Sequence, residues 1–305
     1  MATKYIDFSC KHDVLIRNDD GTLQPMDEPY FRATEIAPNT WCVLSDGDFT
    51  YLLAGDKTTL TIDSGYGAGN LRDFLQTLTD KAVSYIANTH HHFDHSANNA
   101  YFDKVYMSAE GVPLASVPGG SFTGIDFPRD YDVEVIDEGY KFDLGNREIE
   151  VFAIPDHAIS SLAYLDKGGR ILFSGDEITC HGKDLNGSVL NFKKQLEKLM
   201  AHRNEFDHIC CGSHSMFAAD YVDRYLENVN YILEGHEGAQ LRPMPPRGKK
   251  EEANDGRVIY ERKRPRKDDG GPRPNPEEMM ERNKFKRQMD YAGVTVTYDI
   301  RHITE

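Results

Sequence analysis

Four histidines and an aspartate fall within six positions, His90 to His95, in the stretch ANTHHHFDHSANN. The apolar run AVSYIANT leads straight into it, so a strand hands the cluster to a loop. In extended backbone His90 and His92 face one side and His91 faces the other. That pairing suffices to hold one metal ion. Asp94 continues the same parity and His95 follows as the chain turns, offering an oxygen and a nitrogen to a second ion nearby. Such a donor set suits zinc, iron or manganese better than calcium or magnesium.

The surroundings of the cluster read as mixed α and β. Residues 39–64 break into short β-rich pieces separated by SDGD and AGDK turn signals, the pattern of antiparallel hairpins. TLTIDSG ends its strand on Asp63, and GAGNLRDFLQTLT follows with Leu71, Phe74, Leu75 and Leu78 at helical spacing. Further strands are expected at KVYMS, REIEVFAIP, SLAYLD, RILFSGD and HICCGS, several of them ending on a polar residue. FKKQLEKLMAHR and AADYVDRYLENVNYILEGH have the spacing of amphipathic helices. The order predicts a layered sheet core covered by helices across the first 240 residues.

Charge and composition narrow the function classes. The 305 residues carry a formal net charge of −15, which argues against a protein that holds nucleic acid by its phosphates. From Leu241 onward there are 16 Lys and Arg against 12 Asp and Glu, so a basic tail follows an acidic body. PMPPRGKKEEANDGR and KRPRKDDGGPRPNPEEMMER read as exposed connectors, whereas GRVIYERKR and GVTVTYDIRHI read as strands that fold back. The division expected is therefore a domain over 1–240 and an extension over 241–305 that serves as lid or surface arm. Tyr260, Tyr291 and Tyr298 are its candidate lid aromatics, with core packing the alternative for Tyr291.

No stretch approaches the roughly 18 apolar residues of a membrane span, and the N-terminal MATKYIDFSCKHD has no apolar run after a basic start. Cys10, Cys42, Cys180, Cys210 and Cys211 are odd in number and form no short-loop framework, which fits free thiols. A cytoplasmic location, without membrane partners, is the expectation. Cys210 and Cys211, being adjacent on a strand, point opposite ways and are expected to pack in the core.

His90, His92, Asp94 and His95 match the His-x-His-x-Asp-His signature of the metallo-β-lactamase fold superfamily, which the chain resembles over roughly residues 35–235. Four further motifs follow the same order: His157 in AIPDHAISSLAYLD, Asp176 in LFSGDEI, His214 in HICCGSHS and the earlier Asp63 in TLTIDSG. The resemblance implies an α+β fold, a four-layer αββα sandwich. It also implies two divalent ions, zinc first, with iron or manganese as alternatives. His90, His92 and His157 would hold the first ion, Asp94, His95 and His214 the second, and Asp176 would bridge them. A hydroxide bridging ions about 3.5–4 Å apart is then the expected nucleophile. Asp94 is expected to pass a proton to the leaving group, and Asp63 to orient a ligand by hydrogen bonding.

Departures from the family pattern bear on substrate. An aspartate at 176 points away from lactams and towards esters, lactones, thioesters or related bonds of a small molecule. Thr179 stands where lactone hydrolases of the family typically carry tyrosine, and Ser96-Ala97 stand where many members have a residue followed by Gly-Gly. Asp156 stands before His157 where glycine is usual; it is expected either to place negative charge beside the metals or to point outward as a turn residue. Two other activities accompany the hydrolase reading: an iron-dependent redox enzyme of the thiol or persulfide dioxygenase type, and a phosphodiesterase or nuclease using the basic tail. Assembly into homo-oligomers is left open.

Overall fold

A computed structural model describes residues 31–45, 48–65, 70–115, 131–241, 281 and 283–305, together with the backbone strands at 11–17, 23–26 and 258–261. Two compact units emerge: Met1–Ile136 with Asp143–Arg147 and Arg247–Gly271, and Asp137–Phe142 with Glu148–Pro246 and Pro272–Glu305. Each unit takes residues from both sides of the expected division at 240.

In the first unit, β1 (Lys11–Arg17) pairs antiparallel with β2 (Leu23–Met26). A seven-stranded sheet runs in chain order through β3 (Arg32–Ala37), β4 (Thr40–Ser45), β5 (Asp48–Ala54), β6 (Thr59–Ile62), β7 (Tyr85–Ala87), β8 (Lys104–Met107) and β9 (Val133–Val135). The meander β3 to β6 is antiparallel, as its turn signals require, and β6 to β9 are parallel. Parallel neighbours need a crossover, and helix α1 (Leu71–Gln76) supplies one between β6 and β7. It is shorter than its periodicity suggested. The Asn70 side chain accepts the Asp73 N–H at 3.2 Å and caps the start, while the Thr77 hydroxyl donates to the Phe74 carbonyl at 2.7 Å at the end. Leu71 and Leu75 enter a core with Val43, Leu52, Ile86, Val105 and Met107. Helix α2 (Phe93–Ser96), a single turn, adds Phe93 to it.

The second unit holds a six-stranded sheet, ordered β10 (Lys141–Asp143), β11 (Glu148–Ala153), β12 (Leu162–Asp166), β13 (Ile171–Gly175), β15 (His208–Cys211) and β16 (His214–Ala218). Its central strands LAYLD and ILFSG are buried along their whole length, which is why they read as continuous apolar runs. Between β13 and β15 come β14 (Lys183–Asp184) and α3 (Val189–Ala201), capped by the Ser188 hydroxyl, which accepts the Asn191 N–H at 3.1 Å. After β16, α4 (Asp220–Leu233) packs beside α3 on a core of Phe192, Leu196, Val222, Val229 and Leu172.

Short β17 (Ala239–Gln240) then leads to the C-terminal strands. The backbone of β18 (Val258–Glu261) pairs parallel with β1. The antiparallel hairpin of β19 (Lys286–Tyr291) and β20 (Val294–Asp299) joins β14 and β17 in a four-stranded sheet, as the strand reading of GVTVTYDIRHI anticipated. Asn228 of α4 fastens this hairpin: its side-chain amide donates to the carbonyls of Met289, Tyr291 and Val294 at 3.0–3.1 Å. Tyr298 is buried and accepts the Gly238 N–H at 3.0 Å, and Tyr291 stacks on Tyr231 with ring centroids 4.1 Å apart. The side chain of Tyr260 and the two charged connector segments lie outside the described residues. Cys42, Cys180, Cys210 and Cys211 are free thiols, and Cys210 and Cys211 are both core residues. No helix among the described residues is long and apolar enough to cross a membrane.

Candidate metal centre

Asp63 leaves β6 with a φ of 60°, in the left-handed region, and its buried carboxylate turns onto the end of β7. One oxygen accepts the Thr89 N–H at 2.7 Å. The other accepts the Thr89 hydroxyl at 2.7 Å and lies 2.8 Å from His95 Nδ1. A carboxylate only accepts, so the proton sits on His95 Nδ1 and the lone pair on Nε2. The same logic reaches His90. Thr89 has given its hydroxyl hydrogen to Asp63, so its oxygen accepts from His90 Nδ1 at 3.1 Å, leaving Nε2 of His90 as the lone-pair nitrogen. One aspartate thus sets the tautomer of two histidines.

His90 Nε2 lies 3.0 Å from His92 Nδ1, near the roughly 3.3 Å between two nitrogens on one tetrahedral zinc. His90 and His92 are thus brought together in a bend beyond the end of β7 rather than in extended strand, and the continued parity to Asp94 does not hold. Asp94 and His95 lie in α2, where 3.6 residues per turn replaces the alternation of a strand. They still meet, with His95 Nε2 4.0 Å from Asp94 Oδ2. The His95 carbonyl accepts from Ser64 N–H and from the Asn88 amide, both at 2.8 Å, and Asn88 and Asn99 exchange amide hydrogen bonds. Ser96, fully buried, donates its hydroxyl to the His92 carbonyl at 2.9 Å. Partly buried His91 is pushed below the usual histidine range by desolvation. Asp48 was missed by sequence reasoning, having been read as part of a turn. It is buried, and its carboxylate lies within 4.8 Å of donor atoms of Asp94 and His95.

In the second unit His157 follows β11 and Asp176 follows β13, with His157 Nε2 3.6 Å from Asp176 Oδ2. The loop that presents His157 is built around Glu177. One of its oxygens accepts the N–H groups of Asp156, His157 and Ala158 at 3.0, 2.7 and 3.3 Å. Its other oxygen meets Lys183 Nζ at 2.5 Å, and Lys183 also lies 3.1 Å from Asp156. This corrects the expectation that Asp156 points outward as a turn residue. Its side chain is buried, turned onto Lys183 and the Gly187 N–H rather than towards solvent. Burial raises the Asp156 carboxyl above the usual range despite Lys183. Burial alone would lower Lys183, but Glu177 and Asp156 outweigh it and hold the ammonium above its usual range. Neither Glu177 nor Lys183 was singled out from sequence; the only signal was a carboxylate directly after Asp176.

Thr179 is buried, its hydroxyl donating to the Gly182 carbonyl at 2.6 Å and its carbonyl accepting Tyr225 OH at 2.8 Å. It is a turn residue. His214 opens β16 beside Cys180 and His181, a grouping the sequence reading did not include. Burial raises the Cys180 thiol, and burial followed by the nearby Asp176 charge pushes Cys211 up to about 12, so neither is an activated nucleophile.

Residues 47–190 match the metallo-beta-lactamase superfamily. The acyl-coenzyme A thioesterase MBLAC2 of Gallus gallus is 26% identical over 217 residues, covering 61% of this chain and 71% of the relative. A hydroxyacylglutathione hydrolase of Rhodospirillum rubrum is 28% identical over 123 residues, covering 39% of this chain and 44% of the relative. Among solved structures, the MIM-2 metallo-beta-lactamase superposes over 69% of this chain and 91% of that one, with a TM-score of 0.51 at 18% identity. That last likeness is one of fold, and it bears out the α+β class.

Proposed function

Because residues 47–190 match the metallo-β-lactamase superfamily, we propose that this chain is a dinuclear metal-dependent hydrolase of small-molecule thioesters. In this reading His90, His92 and His157 would hold one ion and Asp94, His95 and His214 the other, with Asp176 as the ligand they would share. The observation that carries it is the Asp63 carboxylate, which leaves Nε2 of both His90 and His95 as the donor atom. Two oriented imidazoles with buried carboxylates beside them fit zinc, with iron or manganese as alternatives. When bound, the ions supply Lewis acidity and an acidified water.

The protein's own groups do the rest. Asp63 and Thr89 keep two imidazoles in the ligating tautomer. Glu177, clamped by Lys183, fixes the backbone that presents His157. Water adds to the acyl carbon, the C–S bond breaks, and a carboxylic acid and a thiol leave. A thiol with a pKa of about 8.5 departs as thiolate with little acid assistance, so Asp94 need only return a proton to it. Acyl-coenzyme A and acyl-glutathione are the substrate classes we assign, on the names of the two relatives. Free thiols at Cys42, Cys180, Cys210 and Cys211 suit a reducing, cytoplasmic setting.

Elemental analysis of protein purified without chelator, paired with a thiol-release assay on both thioester classes, tests this. Two ions per chain and thioester turnover, both lost in Asp176→Ala, are expected. Folded, metal-replete protein that releases no thiol from either class would sink the assignment. Iron as the dominant metal with oxygen uptake would move it to redox chemistry.

A further inference from the structure

A second group of metal donors stands on the surface of the second unit. Cys180 Sγ, His181 and His214 place ligand atoms within 4.8 Å of one another, and all three side chains are partly or fully exposed. Cys180 Sγ lies 3.6 Å from His181 Nε2, and the rings of His181 and His214 meet edge-on with centroids 5.6 Å apart. With Zn–S near 2.3 Å and Zn–N near 2.0 Å, sulfur and nitrogen on one tetrahedral ion stand about 3.5 Å apart. The observed separation needs almost no adjustment.

The supports of these donors are rigid. The turn carrying Cys180 and His181 is closed by the Thr179 hydroxyl on the Gly182 carbonyl, where Gly182 has a φ of 103°. It is anchored on one side by Tyr225 and on the other by buried Lys183. His214 lies opposite Cys211 in the β15–β16 pairing. Donors on fixed backbone lose little freedom when they take an ion.

We propose that Cys180, His181 and His214 form a further site for a thiophilic divalent ion such as zinc, completed by water. The site takes one sulfur and two nitrogens, a set that selects zinc or cobalt over calcium, magnesium or manganese. The Cys180 proton passes to solvent as the sulfur–metal bond forms. Resting on the dinuclear reading above, the site has a consequence for activity. His214 cannot serve two ions at once, so an ion held by Cys180 and His181 withdraws it from the hydrolytic pair. Excess zinc then acts as an inhibitor.

Cobalt(II) addition to the full-length protein tests the site itself. None of the seven residues proposed for the dinuclear centre is a cysteine, so only a sulfur site yields an intense near-ultraviolet thiolate-to-cobalt band. The band is expected in the wild type and in Cys211→Ser, and is expected to vanish in Cys180→Ser and weaken in His181→Ala. No band in the wild type, or one that survives Cys180→Ser, overturns the proposal. In thiol-release assays, excess zinc is expected to inhibit the wild type several-fold and Cys180→Ser far less; equal inhibition overturns the link to His214. If no thioester is turned over at all, the function reading fails while the cobalt band still decides the site.

Discussion

Lys183 Nζ lies 2.5 Å from Glu177 Oε2, with both side chains 2% exposed, and the opposite oxygen of Glu177 accepts three consecutive backbone N–H groups around His157. A buried ammonium is thus tied through a single carboxylate to the loop that presents a candidate ligand. Removing the cation leaves Glu177 and Asp156 as buried carboxylates 21 residues apart in sequence with no counter-charge between them. Lys183→Met is expected to cost about 3–5 kcal/mol in denaturant unfolding. A cost below about 1 kcal/mol would show that the pair is not the keystone described.

Asp63→Asn keeps the shape of the side chain but removes an obligate acceptor. The amide can donate to His95 Nδ1, which reverses the tautomer and turns a protonated Nε2 towards the metal. Metal affinity, measured by competition with a chromogenic chelator, is expected to fall roughly 10–100-fold. Unchanged affinity would mean that Asp63 supports the fold and not the ligand.

Ala292 and Gly293 close the β19–β20 hairpin with φ values of 54° and 75°, and Tyr291 pairs with Val294 across them. Two left-handed residues in a two-residue loop make the turn that favours Asn-Gly. Alanine pays a steric cost there that asparagine largely escapes. Ala292→Asn is expected to stabilise the protein by roughly 1 kcal/mol, read from the urea midpoint.

Asp299 ends β20, and its carboxyl is held down to about 2 by hydrogen bonds from the Arg301 side chain, which outweigh the upward effect of burial. Its folded value lies below the ordinary 3.8. The contribution is therefore complete above that ordinary value and is lost as pH falls towards about 2. Because Arg301 is half exposed, solvent screening keeps the effect small. Thermal melts of Asp299→Asn are expected to lose less stability than wild type over that acid range; parallel curves would refute the linkage.

Much of the architecture was legible in the chain. The runs LAYLD and ILFSG, apolar without alternation, announce strands buried on both faces, and the turn signals of residues 39–64 mark the meander that ends on Asp63. His90 and His92 do come within 3.0 Å of one another, as their spacing suggested, although a bend beyond β7 and not strand alternation brings them together. These are consequences of local geometry, which depends on neighbours in sequence.

Contacts between distant residues were beyond that reach. Asp63 meets His95 from 32 positions away, and Glu177 holds His157 from 20 positions away. No periodicity encodes which carboxylate will find which imidazole or amide. Asp156 shows the limit best: as a sequence letter it looked like a charge beside a metal or a solvated turn, and only burial against Lys183, 27 positions on, decided that it is an internal ion-pair partner. Burial is a property of the packed chain, and in a low-dielectric interior a charge goes where its counter-charge is.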